Sequence, residues 1–191
     1  MGFSDFLPTY DERLLRWFGA SRVAEPDGSP RVVYHGTAHA PGEPRFTTFL
    51  GPRSPFRYPA TPGGRFVGVG TFFSESPLVA VSYPRSLREG DTRVTYRVHL
   101  RIENPKGYTT ARAAADDGVG RVGNDPEAFV RVLRSEGYDG LTFLEGPSYA
   151  PRDREKKARV WVPFSVDQIW RLDGSPNRQS QRPRLSRRPA S

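Results

Sequence analysis

Apolar and polar residues alternate most clearly over 92–102, where Val94, Tyr96, Val98, Leu100 and Ile102 interleave with Thr95, Arg97, His99 and Arg101. A period of two predicts a strand with one face in the core and the other in water. Asn104-Pro105 closes it. Shorter apolar runs predict further strands over 31–35, 71–74, 140–144, 159–164 and 168–172. Helical patterning occurs at three places. Thr9 and Glu12 form a capping box ahead of Leu14, Leu15, Trp17 and Phe18, with Gly19 as the stop. Ser76-Pro77 starts a short helix carried by Leu78, Val79 and Val81 to Tyr83. Asp125-Pro126-Glu127 opens another, with Phe129, Val130, Val132 and Leu133 inside and Gly137 at its end.

Between these elements, 20–30 reads as a linker and 145–158 as a charged loop. Residues 36–69 are mostly turn formers broken by Phe46, Phe49 and Phe56, and a loop of that length inside a domain is usually functional or disordered. Strands outnumber helices, and several connections are too short for a crossover helix. The expected fold class is therefore α+β with a mostly antiparallel sheet and a few short helices.

Composition narrows the chemistry. Gly and Pro together make 38 of 191 residues, below the roughly 25–30% that marks disorder throughout, so a loop-rich globular domain is expected. The absence of cysteine removes disulfides, thiol nucleophiles and thiolate metal sites. With only His35, His39 and His99, a multi-histidine metal site is not expected either. No apolar run is long enough to span a membrane, and the first residues lack the basic start and apolar core of a secretory signal. A cytoplasmic, monomeric protein is the expectation, with delivery into another cell left open.

Net charge is +8, and half of it lies in residues 173–191, which hold five Arg and one Asp. That tail, rich in Ser and Pro, reads as a disordered, basic, solubilising end, with a nucleic-acid-touching arm as the alternative. The domain boundaries read from the sequence are 1–30 for helix and linker, 31–172 for the main domain and 173–191 for the tail.

Several short motifs recur in a fixed order: His35-Gly36-Thr37, Phe46 with Phe49, Gly68-Val69-Gly70-Thr71-Phe72-Phe73, Ala80 with Tyr83, Asn104-Pro105, Gly137-Tyr138-Asp139-Gly140, and Phe164 with Gln168-Ile169. This ordered set, over 31–172, resembles the ADP-ribosyltransferase superfamily in its diphtheria toxin and poly-ADP-ribose polymerase branch. It is most similar to the ADP-ribosyltransferase domains of phage polyvalent proteins. The resemblance implies a split, mostly antiparallel ADP-ribosyltransferase-like fold. It also implies NAD as substrate without a metal, release of nicotinamide, and a macromolecular acceptor, protein in preference to nucleic acid.

The same resemblance implies roles for single residues. His35 would hydrogen-bond a hydroxyl of the adenine-side ribose, with Gly36 bracketing the nicotinamide carboxamide through its backbone and Thr37 completing the motif. Tyr83 would stack on the nicotinamide ring, and Phe72, beside Phe73, would keep a stacking face where many members carry Tyr. The departure is Val160. Counting four residues back from Phe164 reaches a position where the family usually has Glu, which steadies positive charge on the ribose. Two accounts follow: transfer without that Glu, or a carboxylate brought in from the preceding loop, Glu155 first and Glu145 second. Three functions stay in view, namely mono-ADP-ribosylation, NAD or ADP-ribose binding without turnover, and nucleic-acid binding by the tail. Placed beside the ribose, a Val160→Glu side chain would restore the missing charge and raise turnover.

Overall fold

The structure is a computed structural model in which residues 10–42, 49, 69–84, 89–123, 125–147 and 156–172 are described. The tail over 173–191, Thr9, Phe46, Phe56, Gly68 and Glu155 lie outside the described residues.

Helix α1, Glu12–Phe18, is capped by Asp11, whose side chain accepts from the Arg13 amide at 2.9 Å. Leu14 and Phe18 turn inward, and Trp17 leans on Trp170 with ring centroids 5.4 Å apart. Part of the segment expected as a linker is packed instead. Val23 is fully buried, the Arg22 amide donates to the Ile102 carbonyl at 2.7 Å, and the Ser21 hydroxyl donates to the Leu100 carbonyl at 2.8 Å. Backbone groups satisfied on a strand end belong to the domain they bond to.

Seven strands form one curled sheet. They are β1 (Val33–His39), β2 (Phe73–Ser74), β3 (Thr92–Leu100), β4 (Pro105–Gly107), β5 (Gly140–Glu145), β6 (Ala158–Pro163) and β7 (Ile169–Arg171). Their spatial order is β4-β5-β6-β2-β1-β3-β7, and β4–β5 alone is parallel. A parallel pair needs a long crossover. Helices α3 (Ala111–Val122) and α4 (Pro126–Ser135) supply it, while α2 (Pro77–Val81) follows β2. The fold is thus α+β with a mostly antiparallel sheet and few helices. Strand β1 continues four residues past its expected end, because β3 pairs with it from Val33↔Val98 to His39↔Thr92.

Two apolar clusters flank the sheet. One gathers Phe129, Val130 and Leu133 of α4 with Ala114 and Ala115 of α3 against Leu141, Phe143, Val160 and Val162. The other joins Val23, Val33, Phe49, Phe73, Tyr96, Val98, Trp161 and Ile169. Helix α4 begins as expected, with Asp125 accepting from the Ala128 amide at 2.9 Å and Pro126 in the first turn. Helix α3 buries only Ala114, Ala115 and Gly118, a strip too narrow to produce an apolar period. Gly118 is where the Phe129 ring approaches: a Cβ there would lie 3.2 Å from the ring.

His99, expected on the wet face of β3, is 1% exposed. Its Nδ1 donates to the Arg31 carbonyl at 3.0 Å and its ring meets Tyr10 edge-on, so Tyr10 and the segment before β1 cover that face. Burial lowers its pKa and favours the neutral ring.

The later motifs are structural. Asp139 accepts from the Glu103 and Asn104 amides at 2.8 and 2.9 Å, and Asn104 donates to the Gly137 carbonyl. Gln168 donates to the Arg101 and Asp139 carbonyls, both at 2.9 Å. One carboxylate and one amide therefore tie the end of β3 to the start of β5. Asp139→Ala removes both amide hydrogen bonds and a longer one from Gln168 Nε2 at 3.4 Å, an expected loss of about 2–4 kcal/mol, or on the order of 5–10 °C in melting temperature. A variant melting with the wild type would show that this carboxylate does not hold the two strands together.

Candidate functional site

His35 lies in the middle of β1 opposite Tyr96. Its ring sits among aromatic neighbours, with centroids 5.8 Å from Phe49, 5.7 Å from Phe73 and 6.5 Å from Tyr96. Its Nδ1 is 2.9 Å from the Phe72 carbonyl oxygen. A carbonyl only accepts, so Nδ1 carries the proton and Nε2 is the acceptor nitrogen. Burial lowers the pKa of the ring more than the carbonyl raises it, which keeps the imidazole neutral. This one contact joins the His-Gly-Thr motif to the Gly-Thr-Phe-Phe motif across 37 residues of chain.

Gly36 is required by packing. A Cβ built on it would lie far inside contact with the Ala80 carbonyl oxygen, 2.5 Å from the Ala80 carbonyl carbon and 3.0 Å from the Val81 amide nitrogen. Helix α2 therefore rests directly on the β1 backbone; at its start Ser76 accepts from the Val79 amide, and the Ser76 amide donates to Ser74 Oγ of β2 at 3.1 Å. A contact within the fold thus requires glycine at this position without any ligand. Gly70 has the same kind of explanation. Its φ is +151°, and a Cβ there would lie 2.8 Å from the Pro163 carbonyl oxygen; both call for glycine.

Tyr83 follows α2, with its amide donating to the Ala80 carbonyl at 3.1 Å. Its hydroxyl donates to Glu145 Oε2 at 3.2 Å, across 62 residues of chain. Burial, then the charge of Glu145 and that hydrogen bond, raise the Tyr83 pKa well above its ordinary value, so the phenol stays protonated. Of the two carboxylates expected near the site, Glu145 is thus placed against Tyr83, and Glu155 lies outside the described residues.

The register sorts the remaining residues by face. Tyr34 is opposite Ser74, Ser74 opposite Val160, and Val160 opposite Phe143. Opposed residues in an antiparallel ladder share a face, and successive residues alternate. Val160 therefore lies on the face of Tyr34 and Phe143, whereas His35 lies on the other with Phe73, Tyr96 and Trp161. The clusters agree: Val160, fully buried, belongs with Phe143 and Val162, while Phe73, Tyr96 and Trp161 belong to the second cluster. The two adjacent phenylalanines are divided likewise. Phe72 packs 6.0 Å from Phe143, and Phe73 packs on His35. Thr37, two residues past His35 and opposite Val94, shares the face of His35. The expectation that Val160 points at a ribose held by His35 is not met by this register: its side chain ends in a closed apolar core.

Two polar groups near these elements were not anticipated. His39 closes β1 with Nε2 2.9 Å from the Tyr96 hydroxyl. Glu75, just past β2, accepts from the Trp161 indole at 2.9 Å and from Arg31 at 2.6 Å, which commits both oxygens to structure. An acid directly after a strand carries no sequence signal of such partners. Among the described residues, no group of three or more His, Asp or Glu is placed to hold a metal ion, and no helix is long and apolar enough to cross a membrane. No protein-family model matches the chain, and no curated protein or solved structure is significantly similar to it.

Proposed function

We propose that this protein has an ADP-ribosyltransferase-like fold and transfers one ADP-ribose unit from NAD to a macromolecular acceptor, releasing nicotinamide. The observation that carries the reading is the His35–Phe72 hydrogen bond of 2.9 Å. It brings two motifs of the resemblance onto neighbouring strands and leaves a neutral imidazole with Nε2 as the acceptor. A ribose hydroxyl donates to such a nitrogen. Gly36 and α2 lie one residue further along β1, and Tyr83 stands at the end of α2 with an aromatic face for the nicotinamide ring.

His35→Ala is expected to weaken NAD binding by about 1–3 kcal/mol, the cost of leaving a buried polar partner unmatched. In dissociation constant that is about 5- to 150-fold. Calorimetry with NAD, alongside a circular-dichroism spectrum to establish the fold, measures it. Equal affinity in the folded variant would remove His35 from the site. Incubation with NAD labelled on the adenylate side then reads the reaction: label on protein is the expected result.

A second reading, an NAD or ADP-ribose binding module without turnover, is favoured by one observation. Val160 is apolar and fully buried where the resemblance calls for a carboxylate. Binding without any release of nicotinamide would establish it in place of transfer.

A further inference from the structure

We propose that the outer edge of β3, from Thr92 to Arg97, docks an extended acidic segment of another protein, which joins the sheet as a further strand and seats one apolar side chain in a cavity beside β7. The proposal stands apart from the NAD reading. Strand β3 pairs with β1 from Thr92 to Val98, but β7 covers its other edge only from Val98 to Leu100. Leu172 lies in a turn that ends β7, and among the described residues no strand runs along the edge from Thr92 to Arg97. Such an edge presents a row of backbone donors and acceptors that an added strand can pair with.

The same place holds a cavity of about 250 Å³, lined by Phe49, Tyr96 and Val98 and by Arg97, Arg171 and Leu172. Phe49 stands edge-on to Tyr96 there, with ring centroids 5.7 Å apart. The volume is below the roughly 300–1,000 Å³ of small-molecule sites and suits a single large side chain. Leu172 is 43% exposed, apolar surface that a seated side chain would cover. In strand addition the main chain supplies affinity, and pockets for alternate side chains supply specificity.

Charge selects the occupant. Arg93 and Arg97 are exposed on one face of the edge, about 13 Å apart along the strand. Neither forms an ion pair with a described residue. Carboxylates opposite them on the incoming strand complete cross-strand ion pairs. The chain's own end has the wrong sign for this edge, since residues 173–191 hold five Arg and one Asp. A second copy is disfavoured in the same way. Antiparallel pairing about Thr95 would set Arg93 of each copy against Arg97 of the other, and like charges directly opposite are destabilising.

The test titrates the full chain against a capped, labelled peptide with the core Glu-Phe-Thr-Val-Glu, read by fluorescence polarisation. Antiparallel to β3, that order places the acids opposite Arg97 and Arg93 and the Phe opposite Tyr96, on the cavity face. Replacing both Glu by Lys, or the Phe by Ser, is expected to weaken binding about tenfold or more in each case. Arg97→Glu should abolish the preference for the acidic peptide, and the double variant with Arg93→Glu should reverse it. Arg97→Gln, which removes the charge without inverting it, should lower the preference and serves if the Glu variants do not fold. Hydrogen exchange of backbone amides within 92–97 should slow when the acidic peptide is added. Equal binding of the Glu and Lys peptides, or no slowing over 92–97, overturns the proposal. Slowing that grows with protein concentration in the absence of peptide would give the edge to a second copy. Slowing by a single-stranded oligonucleotide and not by the peptide would give it to nucleic acid. Either result also overturns the proposal, and none of these measurements involves NAD, so the transfer reading is decided separately.

Discussion

Replacing Gly36 with alanine is expected to destabilise the protein by ~3 kcal/mol or more, the upper range for forcing an extra carbon into a packed interior. The added Cβ meets main-chain atoms: the carbonyl carbon of Ala80 at 2.5 Å and the Val81 amide nitrogen at 3.0 Å. Side chains can change rotamer to admit a methyl group, but a helix backbone has to translate. Helix α2 is five residues long and is tied at its start to β2 by the Ser76 amide on Ser74 Oγ, so a translation strains that bond or lifts Tyr83 from Glu145. In melting temperature the loss is on the order of 10 °C. Thermal unfolding followed by circular dichroism checks it. A variant melting within a degree or two of wild type would show that α2 does not lie on Gly36. The result also bears on function. Loss of NAD binding in this variant would not by itself demonstrate contact between the glycine and nicotinamide, because displacing α2 moves Tyr83 as well.

What could be read from the sequence follows from where the physics is local. The cap of α4 at Asp125-Pro126 and the cap of α2 at Ser76-Pro77 are short-range signals, and both helices start there. The alternation along β3 located that strand but misjudged His99, because the cover over its outer face comes from the segment around Tyr10 and Arg31, remote in sequence. Helix α3 has no large apolar stripe. It packs small residues, Ala114, Ala115 and Gly118, beneath Phe129, so its partner determines its burial. For the site, the packing of Gly36 on Ala80 and the bond of His35 to Phe72 join segments that the motifs singled out. Which face each side chain takes depends on the pairing β1–β2–β6, and β2 is only two residues long. Glu145 sits one residue past the expected end of its strand, and its contact with Tyr83 spans 62 residues of chain, which no local pattern encodes.

Val160→Glu is the variant on which the sequence pattern and the three-dimensional arrangement disagree most. Counting back from Phe164 makes this the place to restore a carboxylate and gain turnover. The sheet register makes it a carboxylate inserted among Phe143, Val162 and Leu141, on the face away from His35. Val160 is 0% exposed, and the surrounding cluster is apolar. An uncompensated charge in such a core costs about 3–5 kcal/mol, on the order of 10–15 °C in melting temperature. The pH dependence has a definite sign. Burial raises the folded-state pKa of the new Glu above its unfolded value of about 4.3. The folded state then binds the proton more tightly than the unfolded chain, so the penalty is smallest below that pH and grows as pH rises toward the folded pKa. The variant should therefore melt closest to wild type near pH 4 and furthest from it above neutrality. Nicotinamide release should show no gain at any of these pH values. A Val160→Glu protein that melts with the wild type at pH 7 and turns over NAD faster would reverse the conclusion. It would place this side chain beside the substrate.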